Sequence, residues 1–221
     1  QQESDGFRNL QGRAGVRMGK FLLQITGNQL DFQPKEDTSQ GRDQIWNPKT
    51  QHAGRAMLRY SPSDKFDIRI SGGTFSEKVD NLGLLRRPQY KPYAFDDYYH
   101  TDRSDLTLHS EGWAPGRLFW QGTIGWNRFD HIKNSYRFDF TDELQTLLDG
   151  EQDTSSATGL LARATLASDR KDRRWNFLVG LENYTEYAEG ARIVDSTATN
   201  AGKARGNDFA LFASAKTILW K

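Results

Sequence analysis

Long segments of strict period-two alternation fill the chain, and the connections between them alternate short, long, short, long. Residues 53–60 set the pattern: Gly54, Ala56, Leu58 and Tyr60 lie on one face and Ala53, Arg55, Met57 and Arg59 on the other. The next segment repeats it, with Phe66, Ile68 and Ile70 opposite Asp67, Arg69 and Ser71. Further segments place Leu106 and Leu108, then Trp120, Ile124 and Trp126, then Leu160, Ala162, Ala164 and Leu166, then Trp175, Phe177, Val179 and Leu181 on a single apolar face. Two earlier segments centre on Val16 and Leu23, and a less regular one covers about 207–220. This predicts nine strands, many longer than the roughly 5–6 residues of an average soluble strand.

The predicted short connections are Met18-Gly19-Lys20, Ser61-Pro62-Ser63-Asp64, Ala114-Pro115-Gly116 and Ser168 to Arg173, all of turn-forming composition. The long ones are about 33–50, 79–99, 132–156 and 188–206. In an antiparallel meander every second connection lies at the same end. One rim is therefore tight and the other carries large loops, the asymmetry of outer-membrane barrels.

Composition narrows the function classes. Thirty basic residues against 29 acidic ones provide no electrostatic footprint for nucleic acid. The absence of cysteine excludes disulfides, thiolate metal sites and a cysteine nucleophile. The longest apolar run, Phe209 to Ala213, is far too short for a membrane helix. A mean hydropathy of -0.79 remains compatible with a membrane β-barrel, because its strands show lipid only alternate residues.

The ionic face carries Arg13, Arg17, Arg55, Arg59, Asp67, Arg69, Asp105, Glu111, Arg163 and Glu182. Nine strands closed on themselves would leave too narrow a lumen for so many charges, which favours a much wider barrel. Phe21, Tyr60, Phe66, Trp113, Trp120, Trp126, Trp175 and Trp220 fall near predicted strand ends, where interfacial girdles form.

Three stretches carry a family likeness: Ala56-Met57-Leu58-Arg59-Tyr60-Ser61-Pro62-Ser63-Asp64-Lys65-Phe66-Asp67-Ile68-Arg69, Tyr98-Tyr99-His100-Thr101-Asp102-Arg103-Ser104-Asp105-Leu106-Thr107-Leu108, and Gly180-Leu181-Glu182 followed by a variable loop and Phe209-Ala210-Leu211-Phe212-Ala213-Ser214. In their order and spacing the chain resembles TonB-dependent outer-membrane receptors, in particular those of Bacteroidetes-type bacteria. The resemblance implies an all-β, antiparallel up-and-down meander forming part of a large transmembrane barrel in the bacterial outer membrane. Residues 1–221 would be a partial barrel domain, without the family's plug, TonB box or remaining strands of a 22-stranded wall. It also implies uptake of a nutrient complex (an iron chelate, a vitamin or a glycan). The partners would be that small molecule, outer-membrane lipid and, through the absent plug, an inner-membrane TonB complex. Neither a catalytic residue nor a cofactor is implied. The alternatives are a passive porin-like channel, a membrane-embedded hydrolase and a soluble all-β binding module.

Residues 86–99 concentrate arginines and aromatic rings, groups that recognise anionic or planar ligands. Arg86, Arg87, Tyr90, Tyr93, Tyr98 and Tyr99 are the candidate ligand contacts; packing of the loop on itself is the alternative. For the hydrolase reading the available groups are Asp96, Asp97, His100 and Asp102. The four histidines (52, 100, 109 and 131) are scattered and fit no metalloprotease spacing. Asp139, Asp142, Glu143, Asp149, Glu151 and Asp153 make the third long connection acidic, as an exposed surface loop would be.

Overall fold

A computed structural model describes residues 6–34, 42, 46–168, 175–190 and 202–217. Alternation produces strands throughout: β1 (Phe7–Met18), β2 (Phe21–Phe32), β3 (Lys49–Ser63), β4 (Phe66–Leu82), β5 (Tyr93–Ala114), β6 (Leu118–Asp139), β7 (Leu144–Leu147), β8 (Asp153–Ser168), β9 (Trp175–Gly190) and β10 (Lys203–Thr217). They form one antiparallel meander in the order β1-β2-β3-β4-β5-β6-β8-β9-β10, with β7 paired beside the far end of β6. Among the described residues no helix is long and apolar enough to cross a membrane.

Three expectations are corrected. There are ten strands rather than nine, because the third long connection contains β7. The connections placed at 79–99 and 132–156 shrink to 83–92 and 140–152, since β4, β5 and β6 continue well past their apolar segments. Period-two patterning fades there because both faces are polar, yet the backbone ladder persists. Trp113, expected in an outward girdle, lies on the ionic face against Phe119, ring centroids 5.0 Å apart. Trp220 and most of the fourth short connection lie outside the described residues. Short and long connections still alternate. Gly19, at a φ of 59°, and Gly116, at 84°, take the left-handed conformation in two of the tight turns.

The register joins the apolar positions into rows across the sheet. Val16, Leu23, Leu58, Ile70, Leu108, Ile124 and Ala162 stand side by side on seven successive strands of the meander. Among the described residues no second layer covers them. Ala94 is the only buried hydrophobic side chain among the described residues, while Leu58 is 41% exposed, Ile124 53% and Leu211 73%. A sheet ordinarily buries its apolar face against another layer. Here the apolar face is bare, which suits lipid as its solvent and not water.

The apolar band also slides across the rows. Relative to the row through Leu23, the tight turns after β1, β3 and β5 fall two, four and six residues lower, at Phe21, Phe66 and Ala114. Two residues per hairpin is one residue per strand, or about 3.3 Å along the chain for each 4.8 Å across the sheet. A barrel axis aligned with the turn rim therefore meets the strands at roughly 35°, within the range for membrane barrels. On β6 the apolar face runs from Leu118 to Trp126. At that tilt it spans about 22 Å along such an axis, close to the ≈ 25 Å lipid-facing band of membrane barrels.

Candidate ligand-facing wall

The ionic face assembles as one surface. All ten charges expected there share it, and most are paired: across strands Arg55 with Asp105 at 2.7 Å, Arg59 with Asp67 at 2.5 Å, Arg69 with Glu111 at 3.3 Å and Arg163 with Glu182 at 3.5 Å, and along β4 Arg69 with Asp67 at 3.0 Å. Glycine makes the longest of these reaches fit. Gly73 sits between Arg55 and Asp105 in the register, and a Cβ there would come within 3.0 Å of the Asp105 carboxylate and 3.3 Å of the guanidinium. Arg13 and Arg17 have no carboxylate partner among the described residues.

Above the apolar band, β5 and β6 extend for about twelve more residues as a polar wall. Strand parity divides the candidate ligand residues between its faces. Tyr93 and Tyr99 continue the ionic face, whereas Tyr98 continues the apolar one and stacks edge-on against Tyr136 at 5.6 Å. The backbone of Arg86 bridges that of Tyr93, and the Arg86 guanidinium covers the Phe95 ring at 5.1 Å. Arg87, at a φ of 52°, lies 6.0 Å from the Tyr93 ring, whose nearer cation is Arg137 at 4.6 Å. Tyr90 is the exposed tip of the connection, 71% accessible. The structure thus brings Arg86, Arg87 and Tyr93 together with Phe95 and Arg137, places Tyr99 lower on the same face, and separates Tyr98 from them.

The hydrolase grouping divides in the same way. Asp97 faces the ionic side, where it meets Lys133 at 3.3 Å and accepts a hydrogen bond from Ser135. His100 and Asp102 pair at 2.8 Å on the opposite face. Asp96 is 2% exposed, paired with Arg42 and bonded by the Gly83 amide, so it ties both residues to the wall. Strand parity thus separates Asp97 from His100 and Asp102. In the acidic connection, Asp139 accepts the Thr141 amide at 2.9 Å. That bond holds its carboxyl below the usual carboxylate range, and Arg137 nearby adds to the effect.

Residues outside the expected set complete the ionic face. Phe75, Arg103 and Phe129 stand opposite one another on β4, β5 and β6, with the Arg103 guanidinium 5.8 Å and 5.2 Å from the two rings. His131 accepts or donates one hydrogen bond with Thr101 at 2.8 Å and stacks near Tyr99. The available signal was parity: once β5 is one continuous strand, Arg103 and Tyr99 fall on the side of Asp105.

No family model matches the chain, and no curated protein matches its sequence. Among solved structures it is similar to the ferric citrate transporter FecA in the unliganded form, at 9% identity and a TM-score of 0.49, over 99% of this chain and 38% of that one. It is also similar to the copper transporter OprC, at 14% identity and a TM-score of 0.42, over 95% of this chain and 39% of that one. The chain spans less than two-fifths of the length of either.

Proposed function

We propose that residues 1–221 form a stretch of the wall of a wide outer-membrane β-barrel, serving an energy-coupled receptor that takes up a nutrient complex. The carrying observation is the single-layer sheet itself, with a bare apolar band of membrane height on one face and a cross-paired ionic surface on the other. Lipid solvates the first face and a water-filled bore the second. The extended wall with Arg86, Arg87, Tyr93 and Tyr99 rises toward the large-loop rim, where an incoming ligand is met first. Energy coupling through TonB rests on the sequence resemblance.

Spin labels test the faces in the complete barrel that contains this wall. Labels at Leu58 and Leu108 are expected to relax with oxygen dissolved in lipid, and labels at Arg55 and Thr107 with a water-soluble nickel chelate. The reverse pattern, or nickel access to all four, removes the barrel reading. Uptake that survives collapse of the proton-motive force replaces the receptor by a passive channel.

A further inference from the structure

Charge is distributed unevenly around the wall. Strands β1–β3 carry six basic residues and one acid, Asp31, and Asp31 shares a face with Leu23 and Ile25 rather than with the ions. On the ionic face this leaves Arg13, Arg17, Lys49, Arg55 and Arg59 with no carboxylate on their own three strands. Asp105 and Asp67 reach across to neutralise Arg55 and Arg59. A concavity of about 790 Å³ lies over this cationic sector, lined by Arg13, Arg55, Arg103, Asp105, Phe75 and Asn28 among others. That volume is in the range of small-molecule sites. Three guanidiniums meet one carboxylate there, and that carboxylate is committed to Arg55.

Arg103 is held in an unusual way. The rings that flank it fix its plane from both neighbouring strands without cancelling its charge, so its N–H edge stays available. Arg13 has no anionic partner among the described residues.

We infer that this concavity binds a small solute bearing two or more carboxylate or phosphate groups, held between Arg13 and Arg103 with Arg55 beneath. The spacing of the cations across several strands favours a multiply charged ligand over a single anion, because no one oxyanion reaches both ends. A preorganised guanidinium in a concavity suits a small solute better than a broad acidic polypeptide surface. The inference rests on the assignment of the ionic face to the bore.

Calorimetric titration of the complete barrel in detergent at low salt, with pyrophosphate and citrate as separate probes, tests it. Binding of pyrophosphate alone identifies a phosphate ligand, binding of citrate alone a carboxylate ligand, and binding of both the shared chemistry. In each case Arg13→Gln and Arg103→Gln are expected to weaken affinity by at least about tenfold. Arg205→Gln, on the other face of β10, should change it by less than about twofold. Absence of binding by either probe, or equal losses in all three variants, overturns the inference. So does a lowered melting temperature of Arg13→Gln and Arg103→Gln without probe alongside unchanged affinity, which would assign the cations to a protein segment. Spin-label accessibility separates the two levels: a reversed face pattern defeats the bore assignment, whereas a correct pattern without binding defeats only the site.

Discussion

Two residues show how local chemistry serves the sheet. Gly73 allows Arg55 to cross β4 and reach Asp105, because an added Cβ would press on both charged groups. Gly73→Val is expected to destabilise the folded barrel by about 1–2 kcal/mol, through the broken ion pair and the crowded ladder. Urea unfolding in detergent checks it, and Gly12→Val, where nothing lies within 4 Å, is the control that should change little. Asp139 governs a turn in the same direct way. Its native pKa lies below the ordinary carboxylate value of about 3.9, so the ionised form is preferred in the fold. The stabilisation is complete above the unfolded pKa and is lost as pH falls through the native one. Hydrogen exchange at the Thr141 amide, corrected for its intrinsic rate, should therefore show protection at pH 6 that declines toward pH 3. Asp139→Asn should remove that pH dependence, and an unchanged profile in the variant contradicts the assignment.

At the scale of the strand, legibility followed the solvent contrast. Where one face is apolar and the other charged, as between Phe66 and Ile70 or Leu160 and Leu166, alternation marks the strand and which residues share a face, and the expected ionic set falls on a single one. Beyond Ser104 both faces of β5 are polar, so nothing in composition separated strand from loop. Tyr93 and Tyr99 were accordingly grouped with Tyr98, which parity sends to the other side. The cation–ring contacts of Arg103 required the register of three strands and were beyond any local pattern. The same contrast makes a prediction at mid-strand. Leu108→Lys should cost about 2–4 kcal/mol in a lipid bilayer if its face meets acyl chains. Thr107→Lys, one residue away and facing the ions, should cost less than about 1 kcal/mol. Folding titrations in lipid vesicles measure both, and equal costs would mean that the two faces share one solvent.

The whole sheet is held by its ladders. Among the described residues β1 and β10 end the strand order without pairing to each other, which leaves two long edges of backbone groups with no ladder partner. Such edges are intolerable in hydrocarbon unless further strands complete the wall. In the proposed wide barrel, the register constrains how further strands would run. A descent of one residue per strand, seen at Phe21, Phe66 and Ala114 and again in the low apolar segment Trp175–Leu181 of β9, is a constant slope rather than a local irregularity. Strands added with the same slope keep the apolar band level with the membrane, while strands added without it would carry charged residues into the acyl region. Polarised infrared dichroism of the complete barrel in oriented bilayers should therefore report a mean strand tilt of about 35° from the membrane normal. A tilt below about 15° is incompatible with the observed slope, because the turns at Phe21 and Ala114 would then lie at different depths in the membrane.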